Sequence, residues 1–176
     1  MIRNHMKKFL ILIFIIFFST FHKITYATVD ASLPTFIAKF GEWNVFTIEQ
    51  NGQKVCYTIS TPKSMSGNNS DDRDAYIMVS FFGNYKQEIS IVSGYFYRLN
   101  SVVDVSIDGK QERFIAENET IAWPEKIGSD KRIIKQMIDG FKVLVFSEST
   151  ALTYSVDTYS LSGFKKAYNK IFELCK

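Results

Sequence analysis

The chain has 176 residues, 22% of them charged, with 21 Lys+Arg against 18 Asp+Glu and a formal net charge of +3. Residues 1–27 hold four of the basic residues and none of the acidic ones, so the remainder stands at 17 against 18, and nothing in this balance argues for nucleic acid, whose binding needs a clustered basic face. Both histidines, His5 and His22, lie in the same segment, so the rest of the chain can run neither Ser-His-Asp nor Cys-His chemistry and lacks the commonest zinc ligand.

That first segment opens with Arg3, Lys7 and Lys8, continues through the apolar run FLILIFIIFF (9–18) and ends in ITYA at Ala27. The order basic, apolar, small predicts a secretory signal peptide over 1–27, removed after Ala27. Ten apolar residues fall short of the ~20 that a spanning helix needs, so no integral membrane span is expected after cleavage. Residues 28–176 then suit a single domain, with a periplasmic, outer-membrane-associated or secreted location.

Strand-like segments follow at short intervals. EWNVFTIE (42–49) and QKVCYTIS (53–60) flank Asn51-Gly52, a dipeptide suited to a two-residue hairpin turn. AYIMVSFF (75–82) and EISIVSGYFY (88–97) form a second pair, SVVDVSI (101–107) and KQERFIAE (110–117) a third around Asp108-Gly109, and FKVLVFSES (141–149) with LTYSVDTYS (152–160) the last. Connections this short exclude parallel crossovers. They predict a mainly β fold, an antiparallel sandwich or barrel-like domain of about eight strands. SDKRIIKQMIDG (129–140) reads as a short helix beginning at Ser129 and stopping at Gly140. At the C-terminus, Phe164, Tyr168, Ile171, Phe172 and Cys175 fall on one stripe of an amphipathic helix expected to pack on the sheet.

Two cysteines, Cys56 and Cys175, are the first chemical constellation. In an oxidising compartment they are expected to pair, whereas a reactive thiol has no histidine to lower its pKa. Alternation places Val55, Tyr57 and Ile59 on one face of their strand and Lys54, Cys56, Thr58 and Ser60 on the other. If the first set faces the main core, Cys56 is left for the terminal helix, and a bridge to Cys175 clamps it. The polar stretch TPKSMSGNNSDDRD (61–74) reads as a solvated loop, and Lys63, Asp71, Asp72, Arg73 and Asp74 are its candidate interaction residues. Its acids lack the spacing of a calcium loop, and Arg73 is expected to make local ion pairs with them. Glu117, Glu119 and Glu125 are available for carboxylate chemistry, and Tyr95, Tyr97 and Trp123 for a glycan platform, with no spacing that selects either. No catalytic residue, cofactor or metal site is expected.

FGEW (40–43), KVCY (54–57), TPKS (61–64), RDAYIMVSF (73–81), EISIVSGY (88–95) and the closing DTYSLSGFKKAYNKIFELCK (157–176) occur in an order that resembles the invasion-associated locus B family of alphaproteobacterial exported proteins. The resemblance implies a small, mainly β exported domain linked to host-cell invasion, with no established enzymatic activity or cofactor. The reading is an exported, non-enzymatic envelope protein acting on an unidentified protein partner in the envelope or host. A small-ligand or glycan-binding module is the alternative, and a carboxylate-dependent hydrolase the third.

Overall fold

The computed structural model describes residues 32–68, 73–84 and 86–176, so the expected signal peptide lies outside the described residues. Among these residues, eleven strands form one antiparallel sheet. They are β1 (Thr35–Phe40), β2 (Trp43–Gln50), β3 (Gln53–Ser60), β4 (Ser64–Gly67), β5 (Tyr76–Phe81), β6 (Gln87–Val92), β7 (Val102–Ile107), β8 (Lys110–Ala116), β9 (Ala122–Pro124), β10 (Lys142–Glu148) and β11 (Tyr154–Ser160). Two helices are described, α1 (Asp130–Asp139) between β9 and β10 and α2 (Phe164–Cys175) after β11.

All eight strands expected from the sequence are present, and three more join them. β1 escapes a period-2 reading because Phe36 and Ile37 are adjacent and a bulge lies between Phe36 and Ala38. β4 is the polar SMSG inside the stretch read as a loop, and β9 is three residues ending in Pro124. Neither carries enough apolar pattern to announce itself.

The strand order is β1-β2-β3-β5-β6-β9-β8-β7-β10-β11-β4. Its hairpins follow the turn chemistry, with Asn51 and Gly52 at φ 53° and 72° joining β2 to β3. Only three residues separate β3 from β4, yet β4 pairs with β11 from the far half of the sheet. The chain itself therefore draws the two halves together into a barrel-like curl around one core. A second seam lies where the β1–β2 turn meets the β11–α2 junction. There the Glu42 amide donates to the Ser162 carbonyl at 3.0 Å and Trp43 Nε1 to the Ser160 carbonyl at 3.0 Å. Gly163 has φ 90°, and a Cβ on it would lie 2.0 Å from the Phe40 carbonyl oxygen, so the seam closes only around glycine.

Helix α1 ends as its sequence predicts, but the buried Ser129 makes no side-chain cap, and its backbone carbonyl accepts from the Arg132 and Ile133 amides instead. Helix α2 lays its expected stripe over β1, β2, β3 and β5, with Phe164 4.6 Å from the Trp43 ring and Phe172 and Tyr168 against Phe81.

Cys56 and Cys175 are joined by a disulfide that ties the end of α2 to β3. The face assignment of β3 departs from the sequence expectation at Tyr57 and Ile59, while Val55 is buried and Cys56 faces α2. Cys56, Thr58 and Ser60 are fully buried beneath α2 and in the main core, whereas Tyr57 and Ile59 are half-exposed on the outside. Small side chains fit under a close-packed helix, and Thr58 satisfies its hydroxyl on the Asn44 carbonyl at 2.9 Å.

Candidate functional site

β11 points Ser155, Asp157 and Tyr159 inward, all fully buried. An aspartate in that position is tolerable only with a partner, and Arg73, just before β5, supplies one. Its Nη2 donates to Asp157 Oδ1 at 2.6 Å, with side-chain exposures of 5% and 0%. Its Nη1 donates to the Ser93 carbonyl, and the guanidinium lies over the Tyr95 ring, 5.1 Å from the centroid.

Hydroxyls extend this centre. Ser93 Oγ lies 2.6 Å from Tyr97 Oη and 2.8 Å from Ser147 Oγ. Tyr95 Oη bridges Ser147 Oγ at 2.7 Å and Ser155 Oγ at 3.1 Å. Arg73 Nε, Asp157 Oδ2 and Tyr159 Oη are buried without a protein hydrogen-bond partner. Burial raises the Asp157 pKa, opposed by the Arg73 bond and charge and by a bond from Ser155. Burial likewise lifts Tyr97 and Tyr159 well above the ordinary tyrosine range, so both hydroxyls are neutral and neither is poised as a base.

This centre changes the standing of the candidate loop. Arg73, read from the sequence as a local partner of the loop carboxylates, is turned inward to Asp157 on a strand 84 residues away. Asp71 and Asp72 lie outside the described residues. Asp74 is exposed beside Thr61, Pro62, Met65, Ala75 and Tyr76 at an open cavity of about 510 Å³ that Arg73 also lines. Lys63 pairs on the surface with Glu42 at 3.2 Å. The structure thus brings Arg73 and Asp74 to one cavity and sends Lys63 elsewhere.

The remaining candidates also separate. Tyr97 is fully buried and Tyr95 half-buried, both within the hydroxyl network. Trp123 is half-buried beside an open cavity of about 360 Å³ shared with Glu88, Glu117 and Asp130. Glu125 pairs with Arg113 at 3.3 Å, and Glu119 contributes its backbone carbonyl to the Tyr97 amide. Among the described residues, no group of three His, Cys, Asp or Glu side chains is placed to hold a metal ion, and no helix is long and apolar enough to cross a membrane.

The outer face of the first sheet half is the surface that sequence reasoning missed. Phe46 stacks on Tyr57 at 5.3 Å, Phe36 meets Phe46 edge-on at 5.6 Å, and Ile59, Tyr76 and Met78 lie half-exposed on the same side. Alternation along β2 and β3 carried this signal, but the assumption that Tyr57 and Ile59 face the core concealed it.

A disulfide-clamped, antiparallel β domain with a C-terminal helical lid and an internal arginine–aspartate centre is the class of protein these features define. The chain belongs to the invasion associated locus B (IalB) protein family, matched over residues 43–172. Its fold is similar to that of the crystal structure of invasion associated protein b from Bartonella henselae, with a TM-score of 0.53 and 13% sequence identity. The similarity covers 81% of this chain and 98% of that one. No curated protein matches the sequence.

Proposed function

We propose that this protein is an exported, non-enzymatic envelope domain that acts by binding another protein, in the periplasm or at the cell surface, with a role in host-cell association. The observation that carries the reading is the uncovered outer face of β2, β3 and β5, where the Phe46–Tyr57 stack continues into Ile59, Tyr76 and Met78. Half-exposed aromatic and methionine side chains on a rigid sheet are the composition of a binding face. The disulfide supports export to an oxidising compartment. Non-enzymatic action is supported by the inward orientation of the polar centre, most of whose groups hydrogen-bond to one another. Family membership supports the link to host association.

A photoreactive residue at position 59 or 76, irradiated in intact cells and followed by mass spectrometry, tests this reading. A discrete partner is expected, and Tyr57→Ser should reduce its capture without changing the circular dichroism spectrum. Capture identical to that from a probe at Asp104, on the other half of the sheet, would remove the basis of the proposal. Substrate turnover abolished by Glu117→Gln would overturn its non-enzymatic part.

The half-buried Trp123 beside Glu88, Glu117 and Asp130 favours a second reading, a glycan or small-ligand module with one aromatic platform. Tyr97 gives that reading no support, because its ring is buried.

A further inference from the structure

We infer that the edge formed by β1 and the first turns of α2 docks on an anionic phospholipid surface. The inference goes beyond the protein-binding face above and centres on the neighbouring edge, which meets that face only at the Phe36–Phe46 contact. Leu33, Phe36 and Ile37 are 87%, 56% and 36% exposed at the terminal strand of the sheet. At the far end of the same strand, Lys39 joins Lys165 and Lys166 in lining one open cavity at the seam of Gly41 and Gly163. None of the three lysines makes an ion pair with a described residue. The first turn of α2 contains no acidic residue, its start at Gly163 carries no side-chain cap, and Glu173 is its one acid. Exposed apolar side chains along an edge that runs into uncompensated positive charge match a negatively charged headgroup layer over an apolar interior.

The geometry favours lipid over an added strand. A bulge at Ile37 interrupts the regular register of β1, and Lys39 lies on its outer face opposite Asn44. Both features hinder edge-to-edge pairing with another chain. A headgroup layer imposes no register and fits a bulged edge as readily as a straight one. Seated at interfacial depth, about 5–10 Å, the edge keeps its free amides and carbonyls hydrated while Leu33, Phe36 and Ile37 enter the acyl boundary.

The test is vesicle co-sedimentation with protein recovered after export from expressing cells, its N-terminus determined by sequencing. Partition onto mixed phosphatidylcholine–phosphatidylglycerol vesicles is expected, with none onto phosphatidylcholine alone and loss of binding as salt rises well above ~0.1 M. Lys165→Gln with Lys166→Gln should lower partition about 25-fold, roughly fivefold per lysine. Leu33→Ser with Ile37→Ser should also weaken it, with thermal stability unchanged in both double variants. Excess inorganic phosphate should leave binding intact, whereas its competition would assign the lysines to a soluble anion and overturn the inference. Equal partition by the lysine variant, or equal binding to uncharged vesicles, would overturn it too. Dimerisation that Leu33→Ser with Ile37→Ser abolishes, without vesicle binding by the parent, would assign the edge to a second copy instead.

Discussion

Arg73 and Asp157 are 84 residues apart in the chain and 2.6 Å apart in the fold, and both side chains are removed from water. Their ion pair ties the start of β5 to β11, so it spans the two halves of the sheet that the β3–β4 connection draws together. Removing one partner of such a pair strands a buried charge, which costs far more than the pair itself contributes.

Arg73→Ala is therefore expected to destabilise the protein by about 3–5 kcal/mol at pH 7, read from urea denaturation. Its pH dependence has a definite sign. Burial already raises Asp157 in the folded state, and losing Arg73 raises it further. A raised folded pKa stabilises below the ordinary carboxylate value, and that contribution disappears as pH rises through the folded value. The deficit of Arg73→Ala should shrink as pH falls from 7 toward the carboxylate range. A deficit of unchanged size at both ends of that range would refute the assignment of Asp157 as the stranded charge.

The disulfide spans 119 residues, and in the chain-entropy model closing a loop of that length stabilises by about 4–5 kcal/mol. Replacing both Cys56 and Cys175 with Ser should lower the urea midpoint accordingly, and reductant should produce a similar loss in the parent protein. Denatured, unreduced protein should show no titratable thiol.

Gly52 and Gly163 both have positive φ but differ in their surroundings. A Cβ at Gly52 meets open space, whereas one at Gly163 runs into the Phe40 carbonyl. Gly52→Ala should cost only the left-handed backbone strain of about 1–2 kcal/mol. Gly163→Ala should cost clearly more, because the seam between the β1–β2 turn and α2 must open. Equal thermal shifts for the two variants would contradict this seam.

Tyr97 and Tyr159 are both fully buried, but only Tyr97 has a described hydroxyl partner, Ser93. Tyr97→Phe should cost about 1 kcal/mol and Tyr159→Phe close to nothing, measured by thermal unfolding. Burial raises both above the ordinary value of about 10, so their contribution to stability is present below that pH and lost as pH climbs through the folded values. In an alkaline titration the two phenols should ionise together with cooperative unfolding.

The strands with alternating apolar residues and short turns were legible because local pattern and turn chemistry agree with the fold there, as at Asn51-Gly52. The stripe from Phe164 to Cys175 was legible for the same reason. β4 was not, since SMSG forms a strand only because β11 offers it a ladder. Nor was the orientation of β3, whose period-2 pattern separates two faces without saying which is inside.

By itself, the sequence determined the antiparallel β class, the terminal amphipathic helix, the cysteines available for a clamp and the absence of histidine from residues 28–176, because composition and short-range periodicity encode these directly. Only the tertiary structure decided that Tyr57 and Ile59 face outward, that Arg73 leaves its loop for Asp157, and that Lys39 lies beside Lys165 and Lys166. Each depends on segments far apart in the chain meeting across a curled sheet, and which charges or rings are buried is set by that meeting.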